Sequence, residues 1–230
     1  MARRKVTVNL LGIEAVRLSN GETTLYIDAF AEGIKMRRPS RADYILITHD
    51  DGDHFSASKV AAAAEATGAK VIGPPSIAYP LLVDEHVPPE KLMIVYPKCF
   101  KEPSTLEFPN VKIKVYNTEH DGDWNPVHVS YLVEFDGRRF YHTGDSSMID
   151  FDDEDLKELD ALFWVYNNMD PSGISIFRKL HEKLRPKRIL PIHLIGCNWT
   201  MTVSDFREEA SKAGLEGVVV LDETETLVID

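Results

Sequence analysis

Residues 45–55 read ILITHDDGDHF, an apolar strand that runs directly into a knot of ionisable side chains. Ile45, Leu46 and Ile47 are ordinary core material, whereas His49, Asp50, Asp51, Asp53 and His54 fall within six positions. Groups of that kind repel one another and resist removal from water unless a cation sits among them. This junction constrains the fold more than any other stretch. A buried strand must end at a polar site, and other parts of the chain must supply the remaining ligands.

Three further segments repeat the pattern. VKIKVYNTEH delivers His120, RRFYHTGD delivers Asp145 and RILPIHL delivers His193, each after an apolar strand. Such spacing predicts a site built from loops at one edge of a sheet sandwich, where rigid strands fix the side chains that the loops present.

The order of elements agrees. VTVNLLG, AVRLSNG and TTLYIDA read as an opening meander, with a turn at Ser19-Asn20-Gly21. The buried strand YILITHD leads to a helix, SASKVAAAAEATGA, capped by Ser56 and ending near Gly68. KVIGP, LMIVYP, STLEFPNVKIKVYNTEH, VSYLVEFDGRRFYHTGD and ALFWVYNN supply further strands, with a hairpin at Asp136-Gly137. An amphipathic helix in SGISIFRKLHEKLRP, a strand in RILPIHL, a helix in SDFREEASKAGL and a closing pair of strands in GVVVLDETETLVI complete the chain. With 230 residues and neither a repeat nor a low-complexity linker, a single domain spanning 1–230 is expected.

Charge and cysteine content narrow the function. A net charge of −11 argues against nucleic acid or an anionic membrane as partner, and the clusters MRRPSR and RPKR are too short to reverse that average. Cys99 and Cys197 stand far apart without a CxxC spacing, so neither a disulfide framework nor a thiolate zinc site is expected. No apolar run approaches the ~20 residues of a membrane span, and the N-terminal stretch does not read as a secretory signal. The expectation is a cytoplasmic protein acting on a small-molecule substrate.

THDDGDH resembles the HxHxDH signature of the metallo-β-lactamase fold superfamily, and HTGD and PIH fall where that superfamily carries its bridging aspartate and final histidine. Within it the chain looks most like the UlaG-like and N-acylphosphatidylethanolamine phospholipase D-like hydrolases, through TLYIDA before the motif and FDGRRFYHTGDSS around the bridging acid. The resemblance implies an α/β, four-layer αββα sandwich with a metal centre at one edge. It places His49, His120 and Asp145 on a first ion, and Asp53, His54, Asp145 and His193 on a second, with Asp145 shared. Asp51 stands where the family has its second histidine. Asp51 admits three readings, as an oxygen ligand that hardens the first site, as a partner of a metal-bound water, or as part of the turn with Gly52; one or two divalent ions are expected, zinc first and manganese or iron as alternatives. In this scheme Asp53 orients the attacking hydroxide and moves a proton.

Other residues admit two readings each. His142 and Asp28 would support ligands or serve their own strands, and His128 would face the cleft or lie within its strand. Trp124, Asn125, Asn198 and Trp199 suit either a substrate pocket or the core. Asn167, Asn168, Pro171 and Ser172 suit an anion site or plain helix capping. His86 and His181 receive no role. There is no GxSxG elbow, so a serine hydrolase is not expected. The leading function is metal-dependent hydrolysis of a small polar ester, lactone or amide, as in lactonases. The alternatives are a phosphodiesterase acting on a nucleotide or lipid headgroup, and a degenerate, non-hydrolytic metal-binding protein.

Overall fold

The computed structural model describes residues 4–34, 38–121, 127–166, 173–194 and 201–230. The opening meander is present as β1 (Val6–Leu10), β2 (Val16–Ser19) and β3 (Thr24–Ile27). Parallel to β3 follow β4 (Tyr44–Leu46), β5 (Lys70–Gly73) and β6 (Leu92–Ile94), while β13 (Leu227–Ile229) closes the other edge against β1. The first sheet therefore runs β13-β1-β2-β3-β4-β5-β6.

The second sheet contains β7 (Ser104–Phe108), β8 (Val111–Thr118), β9 (His128–Phe135), β10 (Arg138–His142), β11 (Ala161–Val165) and β12 (Ile189–Ile192), in the order β12-β11-β10-β9-β8-β7. It is antiparallel from β7 to β10 and parallel from β10 to β12. The β9–β10 hairpin turns at Asp136 and Gly137, with φ of 52° and 74°. Two consecutive left-handed residues match the twist of the flanking strands, which explains the Asp-Gly pair.

Side-chain alternation explains the layers. Leu46 and Ile72 of the first sheet meet Tyr131, Val133, Phe140 and Phe163 of the second in a core between the sheets. Their neighbours Ile45 and Val71 face outward and are covered by Val60, Ala63 and Ala64 of α1 (Ala57–Thr67). On the far side, Leu132, Tyr141 and Trp164 lie under Phe177 and Leu180 of α2 (Ile176–Leu184) and Phe206 of α3 (Val203–Lys212). Strands buried on both faces lose the polar half of their period, as the wholly buried ALFWV of β11 shows. The result is the expected αββα arrangement.

Several local expectations need correction. Ser56 occupies the N-cap of α1, but its hydroxyl makes no capping bond. Its backbone is held instead, the Ser56 N–H donating to the Phe30 carbonyl at 3.0 Å. The segment GVVVL forms no strand, because Gly217, at φ 73°, turns the chain so that Val218 alone bridges to Ile189. The Pro-rich connection of residues 74–91 is wound into short helical turns, each with proline in its first turn. Cys99 is an exposed free thiol, and Cys197 lies outside the described residues. Among the described residues no helix is long and apolar enough to cross a membrane.

Candidate metal centre

The meander makes β1 and β3 point the same way, and β4 is parallel to β3. In the second sheet β8, β10 and β12 likewise share one direction. The polar segments follow the carboxyl ends of these strands. Glu14 lies in the β1–β2 turn, Asp28 just after β3, His49 to His54 after β4, His120 after β8, Asp145 after β10 and His193 directly after β12. The two sheets are stitched at this edge, where the Val129 N–H donates to the Thr48 carbonyl at 3.0 Å and the Tyr131 hydroxyl to the Ile47 carbonyl at 2.6 Å.

The side chains converge. His54 Nε2 lies 3.3 Å from Asp145 Oδ1, and His120 Nε2 lies 3.4 Å from Asp145 Oδ2. Both His49 Nε2 and His120 Nε2 are 3.6 Å from Asp51 Oδ2, and His193 Nε2 is 3.9 Å from Asp145 Oδ2. These gaps are too long or too poorly aligned for hydrogen bonding. Among the described residues, His49 Nε2, His54 Nε2, both His120 nitrogens and Asp145 Oδ1 are buried without a hydrogen-bond partner. Two donors that each sit about 2.0–2.1 Å from one tetrahedral ion are about 3.3–3.4 Å apart, so the spacing fits ligands that share a cation. Ligand atoms lie within 4.8 Å of one another in His49–Asp51–His120, in His49–His54–Asp145 and in Glu14–Asp145–His193.

Supporting contacts orient the rings. Asp28 accepts from the Thr48 N–H at 2.9 Å, from the Thr48 hydroxyl at 2.6 Å and from His54 Nδ1 at 3.1 Å. With its Nδ1 proton held there, His54 presents the Nε2 lone pair to the cluster. Asp28 is left-handed at φ 49° and His193 at φ 70°, conformations that cost non-glycine residues roughly 1–3 kcal/mol. The His193 turn is secured by its N–H donating to the Ile13 carbonyl at 2.7 Å.

His128 and His142 are occupied otherwise. His128 Nε2 accepts the Asp145 N–H at 3.0 Å while its Nδ1 bonds the Thr118 hydroxyl at 2.8 Å, so neither nitrogen is left to bind a metal. His142 Nδ1 accepts the Gly144 N–H and its Nε2 donates to the Glu14 carbonyl, both at 3.0 Å. These imidazoles fix the backbone that presents Asp145 and Glu14. Gly144, at φ 56°, is required in HTGD, because a Cβ there would stand 2.5 Å from His128 Nε2 and 2.9 Å from Thr48 Cβ.

The electrostatics are those of a crowded, desolvated set of acids and imidazoles. Burial opposes ionisation of Asp145, but the imidazoles of His54 and His120 outweigh it and hold the carboxyl well below its usual range. Burial likewise opposes charge on His54, yet Asp145 and Glu14 lift its pKa well above the ordinary imidazole value. Burial, reinforced by the adjacent Asp145 carboxylate, pushes Glu14 well upward. His128 is held well below the usual value by burial and by the neighbouring imidazole of His49.

A family model described as Beta-lactamase superfamily domain matches residues 7–193, the span from β1 to the last histidine of the cluster. The chain belongs to this superfamily. A UPF0173 metal-dependent hydrolase of Thermus thermophilus is 30% identical over 200 residues, covering 82% of this chain and 83% of that protein. Another, from Thermococcus onnurineus, is 25% identical over 231 residues, covering 94% and 96%. The structure of Igni18, described as a novel metallo hydrolase from Ignicoccus hospitalis, matches with a TM-score of 0.76 at 19% identity, over 98% of this chain and 99% of that one. Membership in the superfamily places the protein among metal-dependent hydrolases with the α/β metallo-β-lactamase fold.

Against the superfamily signature, the structure brings His49, Asp51, His54, His120, Asp145 and His193 together. Asp53 is half-buried and near enough for its charge to act on His193, but it joins none of these close groups. Asp50 is exposed. Trp124, Asn125, Asn167, Asn168, Pro171, Ser172, Asn198 and Trp199 lie outside the described residues. Sequence reasoning missed Glu14. The available signal was an acid within LLGIEAVRL, an apolar stretch joining two strands whose inward residues are wholly buried.

Proposed function

We propose that the protein hydrolyses a small polar ester, lactone or amide with a metal-activated water. The convergence of imidazole nitrogens and carboxylates around Asp145, with buried donor atoms that lack any other partner, carries this reading. In it His49, Asp51, His120 and Asp145 hold one divalent ion, and His54, Asp145 and His193 hold a second. Zinc suits the imidazoles, while the carboxylates leave manganese or iron open. Such ions, when bound, lower the pKa of water and polarise a carbonyl.

The chain's own residues do the rest. Asp53, outside the closest groups yet near His193, accepts a hydrogen from the attacking water and returns the proton to the leaving group. Asp28 holds His54 in the tautomer that keeps Nε2 free, and the hydrogen bond from the Asp145 N–H to His128 fixes the shared carboxylate. The acidic surface, with a net charge of −11, favours an uncharged carbonyl compound over an anionic phosphodiester.

The test has two stages. Protein purified without added metal is analysed for bound zinc, manganese and iron, with one to two equivalents expected. The metal-loaded protein is then assayed on a panel of lactones, esters and amides beside a generic phosphodiester. Failure of the apoprotein to bind any added divalent ion would end the reading, and activity confined to the phosphodiester would move it to the alternative class.

A further inference from the structure

We propose that Glu14 is itself a metal ligand, completing the buried half of the centre with Asp145 and His193 and giving that half a carboxylate-rich donor set that favours a hard cation. This rests on the metal-centre reading above and adds a residue that HxHxDH, HTGD and PIH do not contain.

Glu14 is wholly buried, and among the described residues neither Oε1 nor Oε2 has a hydrogen-bond partner. Its carboxylate falls within 4.8 Å of Asp145 and His193, and within the same limit of Asp28 and His54. It therefore lies within reach of both imidazoles of the buried half and of the acid they share. Its chain neighbours offer no compensation, since Ile13 and Ala15 are apolar. A buried carboxyl group set against other carboxylates ionises when a cation takes its lone pairs.

The backbone shows that the placement is imposed. The Ile13 carbonyl accepts the His193 N–H at 2.7 Å, and the Glu14 carbonyl accepts from His142 Nε2 at 3.0 Å. The turn is thus tied to the loop that carries His193 and, through His142, to the turn that carries Asp145. That frame keeps the buried Glu14 backbone beside the ligand loops. Oxygen donors from Glu14 and Asp145 beside the imidazole of His193 match manganese or ferrous iron better than an all-imidazole set would.

The experiment compares the full-length protein with Glu14→Gln and Glu14→Leu, titrating each metal-free preparation with Mn²⁺ and Zn²⁺ by calorimetry and recording the visible spectrum after Co²⁺ loading. Wild type is expected to bind two ions. Both variants should lose tight binding of one of them, with Mn²⁺ affinity at that site falling at least about tenfold more than Zn²⁺ affinity and a changed Co²⁺ spectrum. Leucine suits the apolar turn and removes a buried polar group, so the thermal melt of metal-free Glu14→Leu should equal or exceed that of wild type. Two ions bound with unchanged affinities and an unchanged Co²⁺ spectrum in either folded variant would overturn the assignment of Glu14 alone. A wild-type protein that binds no ion would instead overturn the metal-centre reading on which it rests.

Discussion

The two halves of the cluster differ in how firmly they are held. Around His54, Asp145 and His193 the frame is dense: Asp28 grips His54, His128 receives the Asp145 N–H, and the Ile13 carbonyl receives the His193 N–H. Around His49, Asp51 and His120 it is more open, with the Asp51 side chain 30% exposed and, among the described residues, neither ring nitrogen of His120 hydrogen-bonded. His49 has one brace, its Nδ1 lying 3.0 Å from the Thr48 hydroxyl. Rigid support lowers the ordering cost of binding, so the buried half should take its ion first and keep it longer.

The most severe way to break this contrast is to remove what the halves share. Asp145→Ala should weaken both ions by more than about 100-fold, beyond the usual effect of losing an outer partner, as measured by metal content after gel filtration. One tightly retained equivalent would confine Asp145 to a single half. Asp28→Ala should act on the buried half, lowering its affinity about 10–100-fold in a two-site titration while the open half changes little. Equal losses at both would erase the distinction. Asp51→His should act on the open half alone, raising its zinc affinity by up to about tenfold, because it exchanges an exposed oxygen donor for a softer imidazole.

The smallest effect concerns the frame itself. Burial depresses the pKa of His142 despite the nearby Asp28 carboxylate. A depressed folded-state pKa contributes stability that is complete above the ordinary imidazole value and is lost as pH falls toward the folded one. In His142→Gln the fall in melting temperature of the metal-loaded protein between about pH 7.5 and 5.5 should be shallower than in wild type. An identical slope would show that His142 titrates alike in both states.

Much of this arrangement was legible in the chain. Strands ending on His49, His120, Asp145 and His193 announced a site at one sheet edge, because an apolar run followed by ionisable groups has few other physical explanations. The Asp136-Gly137 hairpin followed from local chemistry, whereas Ser56 marks the start of α1 without the capping bond that its hydroxyl suggests. What stayed hidden depends on distant partners. GVVVL has strand composition, yet beyond the turn at Gly217 it forms only an isolated bridge to β12 at Ile189 among the described residues. Glu14 is a single acid in an apolar turn, and its meaning emerges only when β1 and β12 bring it beside His193. His128 could be read either toward the cleft or within its strand, and only its bonds to Thr118 and the Asp145 N–H show that it braces the bridging acid.

Asp28, His49 and His54 belong to one sheet, whereas His120, Asp145 and His193 belong to the other. A cation gripped by both sets would act as a rivet through the open end of the sandwich, fastening layers that elsewhere adhere mainly through oily side chains. Chelation should then loosen this rim before the opposite one, and hydrogen exchange should quicken first at Thr48 and Val129, where the layers are already sewn together.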